Sequence, residues 1–242
     1  MSVPSKLIEK LRSAGRVTVL TGAGISAESG VPTFRDAQTG LWAQYDAYEL
    51  ATPEAFARNP RLVWDWYAWR RKRVAEAQPN AGHLALARMQ DQFESFNLIT
   101  QNVDGLHARA GSRDVVELHG NIARIRCSRG CGEVKEFDAS DLPPRCPLCG
   151  GPLRPDLVWF GERLPPDALA CAEAAAADCD VFFSVGTSAQ VFPAADLPLV
   201  ALQAGATVVE INPTETLLTP RIHYALRGKS GAILPELEAA LA

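Results

Sequence analysis

The chain has 242 residues, of which 47% are hydrophobic and 18 are glycine. That composition fits one globular unit with an inserted module, excludes a disordered chain, and contains no apolar run near the ~18 residues of a membrane span. With 24 basic and 28 acidic side chains the net charge is -4, so nothing global draws the chain to nucleic acid, and a polyanionic ligand needs a dedicated pocket. The N-terminal stretch mixes Lys6, Glu9, Lys10 and Arg12 with isolated apolar residues. It lacks the apolar centre of a secretory signal, so a cytoplasmic, reducing setting without membrane attachment is expected.

Lys6 to Gly15 has helical spacing at Leu7, Ile8 and Leu11, and Arg16 to Leu20 is a β-branched run that reads as a buried strand. The strand leads into Thr21-Gly-Ala-Gly-Ile-Ser-Ala-Glu-Ser-Gly30, where two glycines let the backbone approach a ligand before a helix expected at about Ser26. The third glycine of G-x-G-x-x-G comes late, so spacing alone leaves nucleotide binding and a plain strand-turn-helix both open. Residues 94–100, 115–118, 180–185 and 207–211 are apolar runs too short for helices and read as central parallel strands. Helical patterns lie between them at 82–92, 166–178 and 193–204. This alternation predicts an α/β fold with a doubly wound parallel sheet, whose ligands sit at the carboxyl ends of the strands. The loops bearing Gly22 to Gly24, Gln101 to Asp104, His119-Gly120, Gly186 to Ser188 and Asn212-Pro213 all follow strands, so they are expected to share one edge.

Two stretches break the alternation. One, about 38–79, carries Trp42, Trp64, Trp66 and Trp69 on helical patterns; the other, about 122–155, holds four cysteines and five prolines. The cysteines run Cys127-x3-Cys131, fourteen intervening residues, then Cys146-x2-Cys149, with glycines beside each pair. Clustered cysteines can form disulfides, but in a reducing setting two such knuckles suit a tetrahedral zinc held by four thiolates. A closed four-thiolate site leaves no position for substrate, so the ion is structural. A DNA-reading zinc ribbon is disfavoured, because acids offset Arg124, Arg126 and Arg129. His119, at a strand's carboxyl end, can face the ligand edge as a general base. His83 and His107 read as helix-start or packing residues, and His223 gives no signal.

Gly22-Ala-Gly-Ile-Ser26, Pro32-Thr-Phe-Arg-Asp36, Gln101-Asn-Val-Asp104, His119-Gly120, the four cysteines, Val158-Trp-Phe-Gly-Glu162, Gly186-Thr-Ser188 and Ile211-Asn212 stand in the order found in sirtuins. The chain resembles that family over essentially its whole length. The resemblance implies an NAD-dependent protein-lysine deacylase with a Rossmann-like large domain, approximately 1–37, 80–121 and 156–242. The small domain would combine a helical module, 38–79, with the zinc module, 122–155. It implies an NAD pocket at Gly22, Ala23, Phe34, Arg35, Gln101, Asn102, Asp104, Gly186, Ser188 and Asn212, with NAD consumed as co-substrate. In sirtuins the acyl oxygen attacks the nicotinamide ribose, and the histidine matching His119 then takes a ribose hydroxyl proton. The products are free lysine, nicotinamide and O-acyl-ADP-ribose. Val158, Trp159, Phe160, Gly161 and Glu162 would pair with the backbone of an acylated-lysine protein or peptide by strand addition. A monomer is favoured, and no direct nucleic-acid partner is expected.

From Arg61 to Ala75, Val63, Trp66, Tyr67 and Val74 share one helical face with Arg70 near its centre, whereas Arg71, Lys72 and Arg73 read mostly as a solvated face. An arginine in an apolar stripe needs an anionic partner, or reaches solvent by snorkelling. Tyr67-x-x-Arg70 resembles the pair found in sirtuins that prefer succinyl and malonyl groups, with acetyl removed more weakly. A general deacetylase, a mono-ADP-ribosyltransferase using the same pocket, and a zinc-dependent binding module without turnover are the alternatives.

Overall fold

The computed structural model describes residues 3–31 and 45–241. The elements of the chain are α1 (Ser5–Arg12), β1 (Arg16–Thr21), α2 (Ala23–Ser26), α3 (Ala47–Leu50), α4 (Pro53–Arg58), α5 (Pro60–Glu76), α6 (Ala81–Met89), β2 (Ser95–Thr100), α7 (Leu106–Arg109), β3 (Val116–Glu117), β4 (Gly120–Cys127), β5 (Leu153–Leu157), α8 (Pro166–Ala177), β6 (Val181–Val185), α9 (Leu197–Gln203), β7 (Thr207–Asn212), β8 (Tyr224–Arg227) and α10 (Ser230–Leu241). Six strands form one parallel sheet in the order β3-β2-β1-β6-β7-β8. The order reverses beside β1, which places the switch point between β1 and β6, where such sheets take their ligands.

Each central strand is apolar without alternation because both of its faces are covered. Val19, Leu98, Phe183 and Val209 pack with Leu7 and Leu11 of α1, Leu86 of α6 and Leu234 of α10. Their neighbours Leu20, Ile99, Phe182 and Val208 pack on the other side with Ala172 and Ala176 of α8 and Leu197 of α9. Two elements carry no clear sequence signal. Strand β8 has four residues, one of them exposed and none fully buried, and α10 contains Pro235, whose missing N–H removes a bond to Gly231.

Strands β4 and β5 form a separate antiparallel hairpin. It leaves the sheet at Gly120, which adopts φ +79° and whose added Cβ would lie 2.1 Å from the Asp156 carbonyl oxygen, so only glycine fits there. Helix α5 packs on this hairpin with two faces. Val63, Trp66 and Tyr67 meet Ile122, Leu157 and Trp159, while Trp64 meets Ile125, Cys127 and Leu153. The helix starts cleanly because the Asn59 side chain accepts from the Leu62 N–H at 3.1 Å and Pro60 takes the first helical position. Arg71 departs from the solvated face expected for it. Its guanidinium lies over the Trp64 ring, 5.3 Å to the centroid, and its Nε and Nη2 are buried without a partner.

Candidate active site

The loops after β1 and β6 touch through their glycines. Gly22 N–H donates to Val185 O at 3.0 Å and Gly24 N–H to Gly186 O at 2.9 Å. A Cβ on Gly24 would lie 2.7 Å from Gly186 Cα, and one on Gly186 would lie 2.5 Å from Ile25 N. The glycines therefore let two loops cross, a packing demand that stands beside the approach to a ligand expected of them. The helix expected at about Ser26 begins earlier, at Ala23, so Gly22 stands directly before its first turn. That helix has only four residues.

Asn102 follows β2 and is buried. Its Nδ2 donates to Gly22 O at 3.0 Å and to Ser26 Oγ at 3.1 Å. Ser26 Oγ donates to Asp104 Oδ2 at 2.8 Å, and Asp104 Oδ1 accepts from Leu106 N–H at 2.8 Å. Burial raises the Asp104 pKa, opposed by those two bonds. Behind this group stand His83 and His107, ring centroids 4.8 Å apart. His83 Nδ1 accepts from Asn80 N–H, which places its proton on Nε2, 3.4 Å from Ser26 Oγ. Burial pushes His83 down to about 4 and His107 to about 3, the latter helped by His83. Both rings are neutral near pH 7. Asn212 Nδ2 donates to Thr187 O at 3.0 Å, tying the loop after β7 to the one after β6, and half-buried Ser188 follows.

His119 stands where β3 gives way to the hairpin. Its Nδ1 lies 2.9 Å from Gln101 O, and a carbonyl can only accept, so Nδ1 carries the proton and Nε2 keeps its lone pair. Burial lowers its pKa, partly offset by that bond. This is the tautomer a general base needs.

The Val158–Glu162 run leaves the hairpin beside His119, since Val158 N–H donates to His119 O at 3.0 Å. Trp159 N–H donates to Glu162 Oε2 at 2.8 Å and Phe160 N–H to Ala51 O at 2.9 Å. These N–H groups, and that of Glu162, which donates to Trp159 O at 3.0 Å, are committed within the chain. The Glu162 carboxylate also turns inward, binding Arg154 at 2.6 and 2.8 Å. Arg154 lies flat on the Trp159 ring, 3.3 Å to the centroid, and Tyr67 stacks on that ring at 6.1 Å. Burial raises the Tyr67 pKa to about 12, against the pull of Arg70, so its hydroxyl keeps its proton. Arg70 is half-buried over Trp66, 5.0 Å to the centroid, and burial lowers its pKa.

The four Sγ atoms of Cys127, Cys131, Cys146 and Cys149 lie within 4.8 Å of one another. A tetrahedral ion with metal–sulfur bonds near 2.3 Å sets its sulfurs about 3.8 Å apart, so the cluster fits zinc. Arg129 N–H donates to Cys127 Sγ at 3.3 Å, as expected of a thiolate knuckle. None of the six cysteines is paired in a disulfide.

A family model described as "Sir2 family" matches residues 22–193. The chain belongs to the Sir2 family. Among its relatives, an NAD-dependent protein deacylase of Methylococcus capsulatus is 50% identical over 250 residues, covering 100% of this chain and 98% of its own. One of Aquifex aeolicus is 53% identical over 219 residues, covering 89% and 91%. A solved Sir2 homolog–NAD complex superimposes with a TM-score of 0.92 at 48% identity, covering 99% of this chain and 94% of that one. A Sir2–p53 peptide–NAD+ complex gives 0.86 at 29% identity, with 97% of each chain covered.

Within this Sir2 fold, Gly22, Ala23, Gln101, Asn102, Asp104, Gly186, Ser188, Asn212 and His119 lie at the carboxyl ends of parallel strands or just beyond them. Hydrogen bonds link Asn102 to the Gly22 loop and His119 to Gln101. Phe34 and Arg35 lie outside the described residues. Thr21, Ser26, Thr100 and Arg154 join the site's framework without a role assigned to them from sequence, and His83 and His107, read as helix-start or packing residues, join it as buried neutral rings. The Asn80 to His83 stretch does carry one usable signal, an N-cap whose side chain accepts from Gly82 N–H at 2.9 Å. Among the described residues no helix is long and apolar enough to cross a membrane.

Proposed function

We propose that the chain is an NAD-dependent protein-lysine deacylase that removes succinyl and malonyl groups, and acetyl more weakly, releasing nicotinamide and O-acyl-ADP-ribose. The NAD-dependent deacylase class rests on the family and on the names of its full-length relatives. NAD supplies an electrophilic ribose carbon. Gly22, Ala23, Gln101, Asn102, Asp104, Gly186, Ser188 and Asn212 would hold it at the switch point, with Phe34 and Arg35. His119 Nε2 would accept the proton of a ribose hydroxyl, its ring fixed by the Gln101 carbonyl. A substrate backbone beside Val158–Glu162 would pair with carbonyl oxygens of that run, because four of its N–H groups, those of Val158, Trp159, Phe160 and Glu162, are spent. Zinc on the four cysteines would pin the ends of the hairpin and take no part in the chemistry.

The acidic-acyl preference rests on one observation: Tyr67 and Arg70 sit three positions apart on α5, against the wall formed by Trp66 and Trp159. A neutral hydroxyl and a guanidinium on one face suit a carboxylate at the end of a short acyl chain. Such a charge-assisted bond is worth about 1.5–3 kcal/mol. Arg70→Met should therefore cut kcat/KM for succinyl-lysine peptide by about 10- to 150-fold and spare acetyl-lysine peptide. Tyr67→Phe should shift the ratio the same way, more weakly. Equal losses on both substrates would replace this reading with a general deacetylase.

A further inference from the structure

The turn that carries Asn102 is held by a chain of side chains that none of the roles above uses. Gln101 N–H still belongs to the sheet, donating to Thr21 O at 3.0 Å. Asn102 N–H is the first amide beyond it and donates to Thr100 Oγ1 at 3.0 Å. Thr100 Oγ1 also accepts from Thr21 Oγ1 at 2.8 Å. Thr21 Oγ1 lies 2.8 Å from His107 Nε2. Since the Thr21 proton is spent on Thr100, the Thr21 oxygen must accept, and His107 must carry its proton on Nε2. The unpartnered, buried His107 Nδ1 agrees with that tautomer, because it is then a bare lone pair and needs no acceptor. Thr21, Thr100 and His107 are all buried. Each of their polar bonds therefore has no water to replace it, and losing one costs more than it would at the surface.

We infer that His107 is a positioning residue for NAD binding, acting through the hydroxyls of Thr21 and Thr100 on the turn that presents Asn102. Each link fixes the next by fixing a proton. His107 orients the Thr21 hydroxyl toward Thr100, and Thr100 then offers its oxygen to the Asn102 amide. Asn102 spends its Nδ2 on Gly22 O and Ser26 Oγ, so a slackened turn would disturb the loops after β1 and β2 together. The chain runs from α7 across the carboxyl ends of β1 and β2, away from the peptide-binding run at Val158. This inference rests on the placement of NAD beside Asn102.

The test measures KM for NAD at saturating acyl peptide, and KM for peptide at saturating NAD, in the full chain. Thr21→Val keeps the shape and removes the relay; His107→Leu removes the donor. Each should raise KM for NAD by about 5- to 30-fold and leave KM for peptide within about twofold. Thr21→Ser and His107→Gln, which restore a hydroxyl and an N–H, should lie within about twofold of wild type. The Thr21→Val/His107→Leu double variant should be no worse than the worse single, because both break one chain, whereas independent effects multiply. A purely structural defect lowers the active fraction and leaves both KM values unmoved. That result, parallel rises in both KM values, or no rescue by His107→Gln overturns the inference. If Thr21→Val does not fold, His107→Leu and His107→Gln decide alone. Asn102→Ala separates the two layers. A raised KM for NAD there with wild-type values in the relay variants sinks the relay only; an unchanged value in Asn102→Ala sinks the NAD placement beneath it.

Discussion

Acidification should destabilise this protein well above the range in which carboxylates titrate, and the cause is the His83–His107 pair. Both rings are buried and neutral in the folded chain, held down to about 4 and about 3 from an ordinary 6.5. A group whose folded pKa is depressed below its unfolded value leaves the unfolded state binding more protons between the two. For these histidines that window opens at 6.5 and runs down to about 4 and about 3, and stability falls as pH drops through it. Between about pH 7.5 and about pH 5.5 each unfolded imidazole gains about 1.4 kcal/mol of proton binding that the folded one forgoes. The pair contributes about 2.7 kcal/mol, a figure insensitive to the folded values as long as both stay below about 5. For a chain of this size that corresponds to a fall in Tm of about 5–10 °C. His119, also depressed by burial, acts in the same direction, and Asp104, raised by burial, acts in the opposite one. Subtracting a variant removes both contributions. Urea unfolding followed by tryptophan fluorescence at the two pH values should show about 1.4 kcal/mol less acid destabilisation in His107→Gln than in wild type. Equal acid sensitivity in the two proteins would refute a buried, neutral His107.

His119→Ala should leave a folded chain that still binds NAD, with kcat/KM for deacylation lower by about 10²- to 10⁴-fold; calorimetric NAD titration beside a nicotinamide-release assay checks it. In wild type the acidic limb of kcat/KM should fall below pH 6.5, because His119 is held below its ordinary value and must be neutral to act; a limb above 6.5 would contradict the placement of that base. Elemental analysis should find about one zinc per chain, lost in Cys146→Ser or Cys149→Ser together with stability before activity. Gly120→Ala should unfold or displace the hairpin, since its Cβ would overlap the Asp156 carbonyl oxygen, and a wild-type Tm in that variant would show the hairpin free to shift.

The sequence by itself determined most of the sheet. Unbroken apolar runs such as Val181–Val185 are strands because both faces are covered, and that leaves a local mark in composition. Placement was equally legible: the four cysteines meet in one cluster, His119 follows its strand, and Asn102 and Asp104 follow theirs. What the tertiary structure decided concerns partners distant along the chain. Gly24 and Gly186 are glycines because two loops cross, a fact that neither loop records alone. Arg71 looked solvated by its place in a charge run, yet it lies over Trp64 because α5 is clasped by the hairpin on two faces. His83 and His107 read as helix-start or packing residues, and Thr21 and Thr100 as ordinary strand residues. Their proton assignments emerge only when strands β1 and β2 and helices α6 and α7 place four polar side chains out of reach of water. A hydrogen bond's direction depends on every other partner its atoms have, and those partners come from segments up to 86 residues apart. Periodicity reports which face a residue occupies; it is silent about what the fold sets against that face.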